Sequence, residues 1–104
     1  EGDVGILLNH SPLVTILDIG RLVIKDGDER KIAACAGGYI DVRNNNITVV
    51  SDACEWEEEI DLNRAERAKE RASKRLEDKG TDTFKAELAL KKAINRINVG
   101  NKKY

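Results

Sequence analysis

The 104-residue sequence predicts an α+β protein, with an N-terminal antiparallel β-sandwich over residues 1–56 and a C-terminal antiparallel two-helix hairpin over residues 57–104. Three observations carry that expectation. Short runs rich in Val, Ile and Thr, punctuated by Gly, Asp and Asn, fill the first half, with no helix-length pattern between them. From Ile60 onward the composition turns to Ala, Leu, Lys, Arg and Glu at helical spacing. The charges also crowd into this second half, whereas the first is apolar and Gly-rich.

The first strand candidate is Leu13-Val14-Thr15-Ile16-Leu17, closed by Asp18 and Gly20. Arg21-Leu22-Val23-Ile24-Lys25 follows, and Asp26-Gly27-Asp28 turns it into Lys31-Ile32-Ala33-Ala34-Cys35. Asp-Gly between apolar runs signals a hairpin, because Gly takes positive φ without strain. Gly37-Gly38 breaks the chain before the alternating Tyr39-Ile40-Asp41-Val42-Arg43. The turn at Asn44-Asn45-Asn46 uses a residue that tolerates left-handed backbone and leads into Ile47-Thr48-Val49-Val50.

Asp61 is the expected N-cap of the first helix, about 61–79, since residues 62–79 contain no Gly, Pro or β-branched residue. Gly80 is its expected stop in the left-handed C′ position. Thr81-Asp82-Thr83 offers a second cap, opening a helix to about residue 98. A short link between two helices implies an antiparallel pair.

At about 100° per residue, Leu62, Ala65, Ala68, Ala72 and Leu76 share one arc of the first helix. Beside them lies a second arc of Arg64, Arg67, Arg71, Lys74 and Arg75. The second helix gathers Ala86, Ala89, Leu90, Ala93, Ile94 and Ile97, bordered by Lys85, Lys92 and Arg96. Alanine faces approach closely but bury little area, so the hairpin is expected to be marginal alone and to move.

Eighteen Lys and Arg against 19 Asp and Glu leave a net charge of −1, so overall charge gives no case for nucleic-acid binding. No stretch approaches the roughly 20 apolar residues of a membrane span, so direct membrane insertion is not expected. Cys35 and Cys54 form no CxxC and no ligand cluster; such a pair can form one disulfide, but two reduced, buried thiols of a cytosolic protein are the expectation. His10, the one histidine, has no neighbouring nucleophile and is expected in a loop or interface. Gly37-Gly38 lacks the Lys and Ser or Thr of a phosphate loop. Trp56 is expected to pack at the sheet–helix junction, and Glu55, Glu57, Glu58 and Glu59 read as a solvated acidic run rather than a cation site. No hydrolytic, redox or metal constellation is visible, so a catalytic role is not expected.

Five segments in order resemble the epsilon subunit of bacterial F-type ATP synthases. They are Glu1-Gly2-Asp3-Val4-Gly5-Ile6-Leu7 with Asn9-His10-Ser11-Pro12-Leu13-Val14, then Ala36-Gly37-Gly38-Tyr39-Ile40-Asp41-Val42. Asn46-Ile47-Thr48-Val49-Val50-Ser51-Asp52-Ala53 and Ile60-Asp61-Leu62-Asn63-Arg64-Ala65 follow, the latter fitting an I/L-D-x-x-R-A motif. The fifth is the second-helix pattern from Ala86 to Ile97. Leu8-Asn9 departs from the usual Pro-Gly before the histidine. The resemblance implies a β-sandwich followed by a helical hairpin, with further strands expected before Glu1. It also implies a non-catalytic stalk subunit that couples F1 to Fo, with the gamma subunit, the c-ring and the alpha and beta subunits of F1 as partners. The place implied is the cytoplasmic face of the cell membrane, peripherally.

That family also implies a regulatory ATP site, with no cofactor required. Carried over by position, its residues are Glu55, Ile60, Asp61, Arg64, Ala65, Arg71, Lys92 and Arg96. Lys92 stands where the pattern has Arg; it keeps the charge but loses the bidentate fork, which weakens the expected grip on phosphate. Glu55 and Asp61 cannot favourably face phosphates and suit the adenine amine or the orientation of an Arg. The basic face of Arg64, Arg67, Arg71, Lys74 and Arg75 is implied to contact an acidic segment of the catalytic subunits and to inhibit hydrolysis. Two alternatives stay open at this point. The face can be merely solvated with Asp61 only a cap, or a small β domain can use a basic hairpin to bind nucleic acid or an acidic protein.

Overall fold

A computed structural model describes residues 3–7, 12–44, 46–51, 53–78, 80 and 82–102. Its strands are β1 (Val4–Leu7), β2 (Leu13–Ile16), β3 (Gly20–Asp26), β4 (Glu29–Cys35), β5 (Tyr39–Arg43), β6 (Asn46–Val50) and β7 (Cys54–Trp56). A 3-10 turn at Glu57–Glu59 leads into α1 (Leu62–Glu77), and α2 (Thr83–Gly100) returns. The strands form two sheets, ordered β1-β3-β4-β7 and β2-β5-β6. The expected sandwich-then-hairpin architecture is the one observed. His10, Asn45, Lys79 and Thr81, each given a role above, lie outside the described residues.

Every strand pairing is antiparallel except β1 with β3, which is parallel. Between those two the chain passes through β2 in the other sheet, and it returns to the first sheet running the same way. The β3–β4 hairpin turns at Gly27, whose φ is +61°, and pairs Asp26 with Glu29 as the Asp-Gly signal requires. Asn44 takes the left-handed corner, at φ +49°.

The core lies between the sheets. Ile6, Leu17, Leu22, Ala33, Cys35, Ile40 and Val42 are buried there, with Val49, Ile47 and Trp56 packed around them. Strand β4 is buried on both faces, which explains its unbroken run of small apolar residues. Its Ala33 and Cys35 face the core, while Ile32 and Ala34 face the hairpin together with Val23, Ile60 and Val99. Val99 is 1% exposed, so the last turns of α2 form the buried foot of the hairpin.

The hairpin is closed by alanines, with Ala65 and Ala72 of α1 and Ala86 and Ala93 of α2 all buried. At its base a methyl group on Gly100 would lie 2.7 Å from Leu62 Cδ2, so the two helices cross there without room for a side chain. Asp61 caps α1 by accepting from Arg64 N–H at 3.1 Å. Asp82 caps α2 by accepting from the N–H groups of Phe84 and Lys85 at 3.0 and 3.3 Å. The expected stop at Gly80 is corrected: α1 ends at Glu77, and the Asp78 carboxylate accepts from Gly80 N–H at 3.0 Å. An Asx turn competes with helical hydrogen bonding and ends the helix two residues early.

The cysteines require a second correction. Cys35 and Cys54 are register partners on β4 and β7, and their sulfurs are joined as a disulfide. Spacing along the chain could not reveal this, because the register of a three-residue edge strand decides it.

Candidate functional site

Alternation along β7 aims the site. Cys54 and Trp56 pack toward the core, so Glu55 points to the face that carries the hairpin, beside its register partner Ala34. Trp56 also has Lys31 Nζ 5.4 Å from its ring centroid, in agreement with a packing role.

From α2, Arg96 reaches this face with its Nε 2.7 Å from Glu55 Oε1. The N–H is not aligned for a hydrogen bond, so the contact is an ion pair in which charge, not direction, holds the guanidinium. One residue earlier, Asn95 Nδ2 donates to Gly20 O at 2.9 Å and, more weakly, to Cys35 O at 3.4 Å. Gly20 and Cys35 are register partners at the end of the β3–β4 ladder, so one side-chain amide ties both strands to the helix.

Ala34, Cys35, Ala36, Ala53, Glu55, Lys92, Asn95 and Arg96 together line a cleft of about 140 Å³ between the sandwich and α2. Two cations face one carboxylate there, which suits an anion. The volume is well below the roughly 300–1,000 Å³ of drug-sized sites, so the cleft as it stands has no room for a whole nucleotide.

The remaining sequence-derived candidates lie elsewhere. Ile60 is half-buried against Val99 and helps to seat the hairpin. Asp61 is the α1 cap, and Ala65, fully buried, belongs to the helix–helix seam. Arg64, Arg67, Arg71, Lys74 and Arg75 are exposed on α1 and make no ion pair among the described residues. Glu55, Lys92 and Arg96 are therefore brought together, while Arg64 and Arg71 are not part of that cleft. Asn95 went unread in the sequence. At about 100° per residue it falls opposite Ala86, outside the apolar arc, so no periodic signal marked it.

Two family models divide the chain at the same junction. The beta-sandwich domain of the ATP synthase delta/epsilon chain matches residues 1–57, and its long alpha-helix domain matches residues 58–101. The chain belongs to the ATP synthase delta/epsilon family. An ATP synthase epsilon chain from Alkaliphilus metalliredigens is 51% identical over 99% of this chain and 78% of its own length. One from Caldicellulosiruptor bescii is 48% identical over 95% of this chain and 74% of its own. A chain in the cryo-EM structure of the Euglena gracilis mitochondrial ATP synthase OSCP/F1/c-ring assembly shares the fold, with a TM-score of 0.59 at 23% identity. That match covers 79% of this chain and 53% of the other. An epsilon-type chain is a non-catalytic subunit of the synthase.

Asn95 supplies a direct test of how this family member seats its hairpin. Asn95→Asp replaces two donors with a carboxylate that faces two carbonyl oxygens, and it should cost about 1–3 kcal/mol of docking. Helical circular dichroism of the variant should melt earlier, while Trp56 fluorescence reports a sandwich transition that moves less. Coincident, unshifted melting would show that Asn95 does not hold the hairpin.

Proposed function

We propose that the chain is a regulatory rotor subunit of a bacterial F-type ATP synthase, coupling F1 to Fo, whose hairpin exchanges between a docked form and one extended toward the catalytic subunits. The observation that carries this reading is the contrast within the hairpin. Its hold on the sandwich is concentrated at one end, in Ile60, Asn95, Arg96 and Val99, while the basic arc of α1 leaves its five cations in solvent. A small foot releases at low cost, and a basic face without an ion pair among the described residues suits an acidic partner segment on the alpha and beta subunits.

ATP in the cleft would favour the docked form, since only that form brings Lys92 and Arg96 against Glu55 and the β4–β7 backbone. Its phosphates would meet Lys92 and Arg96, and the rest of the molecule would extend toward Arg64 and Arg71 as the hairpin adjusts. The outer face of the second sheet supports attachment to the stalk. Ile16, Tyr39 and Val50 are register neighbours across its three strands and are 81%, 44% and 46% exposed. Contiguous exposed apolar residues mark contact surfaces, and the gamma subunit with the c-ring is the proposed occupant. No described helix is long and apolar enough to cross a membrane. The proposed location is thus peripheral, on the cytoplasmic face as part of F1.

Calorimetric titration with ATP, with and without Mg2+, tests the nucleotide part. Saturable heat is expected at or below millimolar ATP. Lys92→Arg should tighten binding by about threefold to tenfold by restoring the planar fork. Absence of heat at millimolar ATP in both proteins would remove ATP from the mechanism. Copurification with the gamma subunit would support the stalk reading, whereas strong salt-dependent affinity for DNA or RNA would favour the nucleic-acid alternative.

A further inference from the structure

The Cys35–Cys54 pair lies directly beneath the two polar anchors of α2. The neighbouring pair Ala36–Ala53 carries a ladder hydrogen bond, Ala36 N–H to Ala53 O at 2.8 Å. The cysteines therefore occupy the adjacent non-hydrogen-bonded position, where side chains of antiparallel strands come closest, and their Cα atoms are 4.2 Å apart. Cys35 O receives Asn95, and the residue after Cys54 is Glu55, the partner of Arg96. The two strands joined through sulfur are thus two that hold the hairpin. Strand β7 is only three residues long, lies at the sheet edge, and continues through the 3-10 turn to Ile60 under Val99. Fraying of β7 would carry Glu55 and Ile60 away from α2 together.

We propose that Cys35 and Cys54 form a redox-sensitive clasp that sets how firmly the hairpin docks. The oxidised pair fixes β7 on β4 and favours the docked form; the reduced pair lets β7 fray and favours release. In a reducing compartment, protein disulfides are chiefly transient and sensory, which reconciles the expected thiols with the observed link as two states of one device. Exposure gives the chemistry an order, because Cys54 is half-buried and Cys35 is 2% exposed. The Cys54 thiolate attacks a low-molecular-weight disulfide, forming a mixed disulfide and expelling one small thiol. The Cys35 thiolate then attacks the Cys54 sulfur and expels the second. The protein loses two protons and two electrons, and the small disulfide is reduced to two thiols.

The clasp acts on the hairpin equilibrium proposed above but needs no nucleotide, so it is tested without ATP, and a failed ATP titration leaves it standing. The chain is equilibrated with oxidised or reduced glutathione, alkylated and weighed to count thiols, and its amide exchange is followed over residues 54–60 and 95–101. One intramolecular disulfide should form, and exchange in both segments should slow by about tenfold relative to the reduced chain. Cys54→Ser should exchange at the reduced rate in either buffer, and Cys35→Ala should do the same if the core substitution is questioned. Two alkylatable thiols in every buffer would overturn the proposal, as would a disulfide that leaves exchange in both segments unchanged.

Discussion

Replacing Arg64, Arg67, Arg71 and Arg75 together by glutamate is expected to raise ATP hydrolysis by the assembled synthase at least about fourfold, if exposed pairs contribute about 0.2–1 kcal/mol each. All four are exposed on α1 and bind no carboxylate among the described residues, so the folded subunit loses no ion pair when they change. The gain must arise in the assembly. Contacts with an acidic segment would become repulsive, with Lys74 left as the single cation of the face. Four such pairs sum to about 1–4 kcal/mol, and 1.4 kcal/mol corresponds to tenfold. The same model requires inhibition to weaken with salt, because exposed charges are screened beyond about 10 Å at 0.1 M. Replacement by glutamine should give an intermediate rate, since it removes attraction without adding repulsion. Unchanged hydrolysis, with the variant still bound to the gamma subunit and its helicity intact, would refute electrostatic inhibition. Arg75 lies in the last turn of α1, where a cation favours the helix dipole. The helicity control is needed for that reason.

The second large effect concerns the sandwich. Gly38→Ala is expected to cost about 3 kcal/mol, a large part of the roughly 5–15 kcal/mol that holds a domain of this size together. Gly38 has φ +100°, and a methyl group there would collide with Val50 O and lie 2.8 Å from Ser51 Cα. Neither side can yield easily. Leu17 N–H donates to Gly38 O at 2.9 Å, and the Ser51 hydroxyl donates to Gly37 O at 2.7 Å, so the glycine pair is fastened to both neighbouring segments. Gly37→Ala separates conformation from collision, because Gly37 has φ +89° but open space around a methyl group. It should cost only about 1–2 kcal/mol. With urea slopes of about 1–3 kcal/mol per molar, the Gly38 variant should lose about 1–3 M in its unfolding midpoint. Equal losses for the two variants would show that the contact with β6 carries no weight.

These positions show which links of the argument are local. Gly37-Gly38 was legible as a break and not as a collision, because only the approach of β6 creates the steric demand. Likewise, the Asp61 and Asp82 caps followed from side-chain chemistry a few residues from the backbone they serve. The end of α1 did not, since Gly80 was the expected stop and the Asp78 carboxylate ends the helix before it. Strands β1 and β7 escaped notice because four and three residues are too few to establish a period. They are strands because β3 and β4 present free hydrogen-bonding edges to them.

The candidate site divides in the same way. Glu55, Lys92 and Arg96 could be named from a family pattern, and the fold gathers them around one cleft. Asn95 and the sulfur link could not, because their partners are 75 and 19 residues away and are reached only through register and helix docking.

Periodicity, turn chemistry and capping are short-range and depend on the identity of neighbours along the chain. By itself the sequence therefore determined the sandwich, the hairpin, their order and the basic face of α1. Only the tertiary structure decided that β4 is buried on both sides, that α2 stands on Val99, Asn95 and Arg96, and that Cys35 faces Cys54. Those facts are relations between surfaces, and they come into being when the sheet edges and the helix foot meet.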